Sequence, residues 1–419
     1  MVEMTGTIRK VNAQKILDSR GNATIEVRVY TEDVVASACA PSGASVGRFE
    51  VRAFPEGGVD ASIEMVNKIS SKLKGLNVEE QNVVDSVIHE FDSTKQFEKL
   101  GGNAAIATSI AVAKAAALEK NVRLCEHIAD GRLRLPFPLS NIIGGGVHTK
   151  GDSIDFQEFL VVPLGAKKFR DAAVANVMVH KEVARILTSQ RPHYVFGRND
   201  EGAWAAPLTI KEALEVLSNA AQKVEGELGI EVKIGVDAAA SELWIEDEKV
   251  YVYRKEKCKK STSQQLDYVL SLIEEYDIFY FEDPFGEEDF EAFAKLNKNV
   301  SGRCLVTGDD LTVTNKERLK TALERGSVSS IIVKPNQVGT LTDVKETVTL
   351  ALSNNVVPVA SHRSGETCDS ALAHIAVGLK CPIIKIGIMG SERMAKINEL
   401  IRLEDEMGLR MAKPPFSDS

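Results

Sequence analysis

Six short apolar runs in the C-terminal part of this chain each end in an ionisable residue, and this pattern constrains the fold more than any other feature. The runs close as Ile234-Gly-Val-Asp237, Phe279-Tyr-Phe-Glu282, Leu305-Val-Thr-Gly-Asp309, Ile331-Ile-Val-Lys334, Val359-Ala-Ser-His362 and Ile383-Ile-Lys385. With Phe137–Ile143 and Phe156–Val162 they make eight candidate strands. Helix-patterned segments such as Thr342–Ser353, Asp369–Gly378 and Ser391–Glu406 separate the later ones. Alternating short strands and helices predict a (β/α)8 barrel. No helical pattern separates the first two runs, so the barrel is expected to begin with an antiparallel pair.

A parallel barrel gathers its strand ends on one face, where barrel enzymes build their sites. Asp237, Glu282 and Asp309 placed together repel one another unless a cation joins them. Oxygen-only ligands suit a hard divalent ion, Mg²⁺ before Mn²⁺, and not zinc. Lys334 and Lys385 beside such an ion are expected to have lowered pKa values, through nearby positive charge and desolvation. Taken singly, each residue has a plainer reading. An acid at a strand end is commonly a helix cap, His362 alone is a hydrogen-bonded core histidine, and Asp310 is a cap or a support for Asp309. Six in register are harder to explain that way.

The N-terminal part reads differently. Ala23–Tyr30 alternates polar and apolar residues as a half-buried strand does, and Val34–Ala40 is a second strand running into the small-residue loop Pro41–Gly47. Helical patterns follow over Val59–Lys74, Gln81–Phe91 and Asn103–Lys120. Strands followed by helices make an α+β unit. Leu135-Pro-Phe-Pro138 reads as the passage into the barrel, giving a capping domain over 1–130 and a barrel over 131–419.

Composition narrows the function classes. The 419 residues carry a net charge of −9, which argues against nucleic-acid binding, a task for clustered Lys and Arg. The six cysteines are scattered and form no C-x-x-C pair, as in a reducing compartment. Cys368 and Cys381 are expected to be buried as small apolar groups. The N-terminus has no apolar signal core. The most apolar stretch, Ile106–Leu118, is interrupted by Lys114 and reads as a buried helix, not a membrane span. A cytoplasmic protein is expected. Gly144-Gly-Gly146 reads as a turn carrying His148, with a phosphate cradle as the other reading, and His180 reads as structural.

The chain resembles the enolase family nearly end to end. The likeness rests on Ile16-Leu-Asp-Ser-Arg-Gly-Asn22, Pro41-Ser-Gly-Ala-Ser45, Gln157-Glu158-Phe159, Asp200-Glu201-Gly202, Glu282-Asp-Pro-Phe285, Asp309-Asp-Leu-Thr-Val-Thr-Asn315, Asn336-Gln337-x-Gly339-Thr340, Ser361-His-Arg-Ser-Gly-Glu-Thr367 and Arg402-Leu-Glu404. It implies an N-terminal α+β capping domain with a mobile active-site loop, followed by an enolase-type barrel. The implied activity is Mg²⁺-dependent reversible dehydration of 2-phosphoglycerate to phosphoenolpyruvate. Asp237, Glu282 and Asp309 match the ligands of a first Mg²⁺, and Ser45 matches a ligand of a second, completed with substrate. Lys334 matches the base at C2, and Glu201 the acid that assists loss of the C3 hydroxyl. Lys385 and Glu158 match groups that contact substrate or support acid and base. His148 and His362 match active-site histidines, and Arg363 and Ser364 the phosphate site. Glu282 and Asp309 would also face the substrate. The resemblance further implies a homo-oligomer, dimeric or octameric.

The chain departs from the family's usual pattern at Val46, where Thr is common, in the region of Lys150, which holds one extra residue, and in Ile386-Gly-Ile-Met389. Two other readings remain beside the main one. One is a superfamily dehydratase of another acid, which the retained Arg363-Ser364 pair opposes. The other is a non-catalytic binding paralogue, which would have lost Lys334, Glu201 or a metal carboxylate.

Overall fold

The computed structural model of the chain describes residues 6–43, 47–149, 153–193 and 195–416. The N-terminal part is an antiparallel meander of Lys10–Leu17, Ala23–Tyr30 and Val35–Cys39. Its first hairpin turns at Asp18–Asn22, where the Asp18 carboxylate accepts the N–H groups of Arg20 and Asn22 at 2.9 and 2.8 Å. Such an Asx turn is the reason an Asp-x-x-Gly-Asn segment reverses the chain. The helices Gly58–Leu73, Gln81–Asp92 and Gly102–Glu119 follow within a residue or two of their expected bounds. The third is buried along almost all of its length and packs on the second and third strands of the meander. Its alanines let the backbones approach closely. The edge strand Lys10–Leu17 has no counterpart in the sequence reading: Lys15 after Gln14 breaks the alternation halfway, and most of its residues are not buried.

Eight strands close the barrel: Phe137–Gly144, Glu158–Val162, Lys233–Asp237, Ile278–Glu282, Leu305–Gly308, Ser330–Val333, Val357–Ser361 and Ile383–Lys385. The last pairs with the first through Ile383 opposite Phe137. Glu158–Val162 runs antiparallel to both neighbours, as the missing helix predicts, and the remaining pairs are parallel. Helices Phe169–Gln190 and Ile210–Leu228 come only after that strand. Phe137, Leu160, Tyr280, Ile332, Val359 and Ile383 fill the inside of the barrel. A second, larger core lies between strands and helices and continues into the N-terminal sheet. Lys114 and Asp369 tie the two parts together with a 2.7 Å ion pair. No helix among the described residues is long and apolar enough to cross a membrane. Cys381 is buried as expected, but Cys368 is exposed. It lies in the connection between Ser361 and the helix starting at Ala371, outside both cores.

Candidate active site

The register of the barrel brings the strand ends together. Glu282 lies opposite Asp237, Thr307 opposite Glu282, and Ser361 opposite Lys385. The antiparallel strand enters the same ring from its other end, because Glu158 is its first residue and pairs with Asp237. Glu158, Glu201, Asp237, Glu282, Asp309, His362, Arg363 and Lys385 are all buried.

The ammonium of Lys385 lies 2.8 Å from Asp237, 2.7 Å from Glu282 and 3.4 Å from Glu158. Lys334 donates to Asp309. Burial alone would lower both lysines, but the carboxylates beside them outweigh it and hold both above their ordinary range. This corrects the lowered values expected from the sequence, which need a cation to draw on the same carboxylates. Burial, and then Asp237, push Glu282 up to about 8. Burial, and then Glu201, push Glu158 well up. Asp283 and Asp310 are also raised, the latter to about 8, by burial and then by their neighbouring acids. Asp309 stays low, since Lys334 overcomes the effect of its burial.

This is a site with more negative charge than its two lysines settle. Glu282 Oε1 and Glu158 Oε2 are buried without a hydrogen-bond partner among the described residues. Buried acceptors of this kind are costly unless something binds them. Oxygen donors in this number fit a hard divalent cation. A second acidic group, Asp283, Asp309 and Asp310, is close enough for a shared ion. Two oxygens of Asp283 already accept the N–H groups of Asp309 and Asp310, at 2.9 and 2.8 Å, so it orders that strand end.

The backbone here is strained. Val313 and Thr314 both have positive φ, 43° and 56°, costly for β-branched residues. Thr314 compensates through its hydroxyl, which accepts the Lys334 N–H at 2.9 Å and donates to Gln337 at 2.6 Å. The turn after Lys334 is thereby held beside Asp309, which Gln337 also bonds at 3.1 Å.

Glu201 sits on a turn fixed by Asn199, whose side chain accepts its N–H at 3.0 Å. His180 is structural, as expected: it bonds the Gly202 carbonyl at 2.9 Å and stacks on Trp204. The Glu201 carboxylate accepts from Asn141 at 3.0 Å and lies 3.8 Å from His362. Burial pushes His362 well below its ordinary pKa, leaving a neutral imidazole. Arg363 keeps its charge against burial because Glu50 faces it. One cavity is lined by Glu158, Glu201, Lys334, His362, Arg363, Ser364 and Lys385.

Ser45, Val46 and Lys150 lie outside the described residues. His148 ends the short 3-10 turn Gly146–His148, and its side chain is likewise outside the description. At Gly145 a Cβ would fall 2.3 Å from the Phe156 carbonyl, so close backbone packing accounts for the glycine run. Sequence reasoning missed Glu50, Asn141 and Tyr280. Only the positions of Glu50 and Tyr280, near a loop motif and a strand-end motif, could have drawn attention to them.

Family comparisons agree with this architecture. The model of the enolase N-terminal domain matches residues 8–128, and that of the enolase C-terminal TIM barrel domain matches residues 132–413. The chain is 47% identical over 417 residues to the enolase of Methanothermobacter thermautotrophicus, covering 99% of this chain and 100% of that one. It is 45% identical over 403 residues to the enolase of Pyrobaculum aerophilum, covering 94% and 96%. It is also 45% identical over 406 residues to that of Methanosphaera stadtmanae, covering 96% and 98%. With both family domains matched and these relatives aligned nearly end to end, the chain belongs to the enolase family of Mg²⁺-dependent hydro-lyases.

Proposed function

We propose that the chain catalyses the reversible dehydration of 2-phospho-D-glycerate to phosphoenolpyruvate and water, as a step of glycolysis and gluconeogenesis. The observation that carries this reading is that Lys334, Glu201, Lys385 and Arg363 line one cavity. Lys334 takes the proton from C2. Glu201 protonates the C3 hydroxyl, which leaves as water as the C2–C3 double bond forms. Arg363 and Ser364 bind the phosphate, for which a planar guanidinium is well suited. Lys385, Glu158 and the neutral His362 contact the substrate around the reacting carbons, and His148 completes the wall. Asp237, Glu282 and Asp309 would hold the first Mg²⁺, and Ser45 would help to hold a second, completed with substrate. Bound there, Mg²⁺ supplies positive charge for the carboxylate that becomes dianionic when C2 loses its proton.

Removal of that proton needs a neutral Lys334. The Asp309 carboxylate that holds the lysine protonated is also one of the groups that would hold Mg²⁺, and a cation there would weaken its pull on the amine and favour the neutral base. Residues 1–130 form the capping domain and 131–419 the catalytic barrel. The protein works as a cytoplasmic homo-oligomer. Ultraviolet absorbance of the enol product, followed after adding 2-phosphoglycerate with and without Mg²⁺, tests the reading. Turnover that depends on Mg²⁺ is expected. No turnover with Mg²⁺, or equal turnover after chelation, would overturn it.

A further inference from the structure

Tyr280 stands two residues before Glu282 on the strand Ile278–Glu282, so both side chains project to the same face of the sheet. Its ring is fully buried inside the barrel among Leu160, Leu305, Ile332 and Val359. Phenylalanine would fill the same space, and a phenol here needs a partner. The partner is Glu282. The Tyr280 hydroxyl donates to Glu282 Oε2 at 2.5 Å, and the same oxygen accepts from Lys385 at 2.7 Å. Glu282 Oε1 is buried and has no hydrogen-bond partner among the described residues. The two oxygens of one carboxylate are therefore used unequally, one engaged by two donors and the other by none.

The barrel is built around this ring. Gly235 pairs with Tyr280 across the sheet. A Cβ at Gly235 would lie 3.2 Å from Tyr280 Cδ1 and 3.3 Å from Tyr280 Cβ. The strand shifts register between Ile278 and Tyr280, next to the same contact.

We propose that Tyr280 is a positioning residue for the metal carboxylate: it pins Glu282 Oε2 so that Oε1 alone is presented to a divalent cation. The bond is charge-assisted and reaches Glu282 from the apolar floor of the barrel, where water does not compete. Groups that orient a metal ligand in this way contribute to affinity without touching the ion. The inference rests on the reading of Glu282 as a metal ligand and adds what orients it.

The test uses the full chain, stripped of metal with a chelator and titrated with Mn²⁺, with free Mn²⁺ read by electron paramagnetic resonance. Tyr280→Phe should weaken Mn²⁺ binding by about 10–100-fold while the circular dichroism of the metal-free protein is unchanged. Gly235→Ala keeps the phenol but crowds its ring, and should weaken binding in the same direction. It carries the test if Tyr280→Phe does not fold. Glu282→Gln is the reference. If it binds as wild type does, the metal reading itself fails. If Glu282→Gln loses Mn²⁺ and the folded Tyr280 and Gly235 variants bind as wild type does, the inference about Tyr280 is overturned and the metal reading stands.

Discussion

Glu50 holds both terminal nitrogens of Arg363, at 2.9 and 3.2 Å, across 313 positions of sequence. Both side chains are buried. The carboxylate of Glu50 also accepts the Gly47 N–H at 3.0 Å and a bond from Gln337 at 3.2 Å. The same Gln337 amide donates to Asp309 at 3.1 Å. A residue of the N-terminal part is thus wired to the guanidinium proposed to bind phosphate and to a carboxylate proposed to bind metal. Glu50→Ala would leave a buried guanidinium without its counter-charge. The expected loss of stability is about 3–5 kcal/mol, measured by denaturant unfolding. A loss under about 1 kcal/mol, the range of exposed pairs, would mean that Arg363 finds solvent when Glu50 is gone.

Lys334 donates to Asp309 from the end of its strand, and it is the residue on which the proposed chemistry turns. Lys334→Ala should lose both dehydration and exchange of the C2 proton with solvent, by about 10²–10⁴ or more, while a phosphorylated inhibitor still binds. Lys334→Arg should fare almost as badly, since a guanidinium stays protonated. Isotope exchange followed by nuclear magnetic resonance checks this. If the Arg variant keeps more than roughly a tenth of wild-type exchange, well short of that loss, the base is another group.

Glu201 lies beside His362 and Asn141 and lines the same cavity as Lys334, but it makes no bond to the pair of Lys334 and Asp309 among the described residues. Glu201→Gln should slow net dehydration by about 10²-fold or more and leave C2 exchange nearly intact, because Lys334 can still act. Measuring both rates on one sample separates the steps. Equal losses would show that Glu201 does not serve hydroxyl departure alone.

Asp369 gives a prediction about acid stability. Burial raises its carboxyl, but Lys114 and the N–H groups of Ala371 and Cys39 overcome this and hold it below the ordinary value of 3.8. The folded state therefore binds fewer protons than the unfolded chain in this window. The stabilisation is fully present above about pH 3.8 and is lost as the pH falls from there through the depressed folded value. In Lys114→Met the carboxylate keeps its burial and loses its cation, so its folded pKa rises. Acid unfolding should then begin at a higher pH than in wild type, as followed by circular dichroism. Coincident acid transitions would mean that the ion pair adds nothing to the contact between the two parts.

The strands around the barrel were legible because the buried runs are short and apolar, and six of the eight are stopped by an ionisable residue. A carboxylate or ammonium cannot continue into the core, so the sequence marks the mouth of the barrel six times. The edge strand Lys10–Leu17 was not legible, because an edge strand with few buried residues has little apolar periodicity to show. Cys368 was misjudged for a related reason: a cysteine's burial depends on what packs over it, and the connection, buried over His362–Thr367, comes to the surface at Cys368.

By itself, the sequence determined the barrel, its antiparallel beginning, and the residues that stand at its strand ends, since these follow from local pattern and length. Tertiary structure alone decided which charges meet. Glu50 reaching Arg363 and Asn141 reaching Glu201 depend on strand register and on how the N-terminal part sits over the barrel, and Lys385 meeting the Tyr280-bound Glu282 depends on how the strands close the barrel. The protonation of Lys334 and Lys385 was decided there too. Whether a buried lysine is pushed down by desolvation or held up by a carboxylate depends on distances of a few ångströms, and residue type and spacing along the chain do not carry those distances.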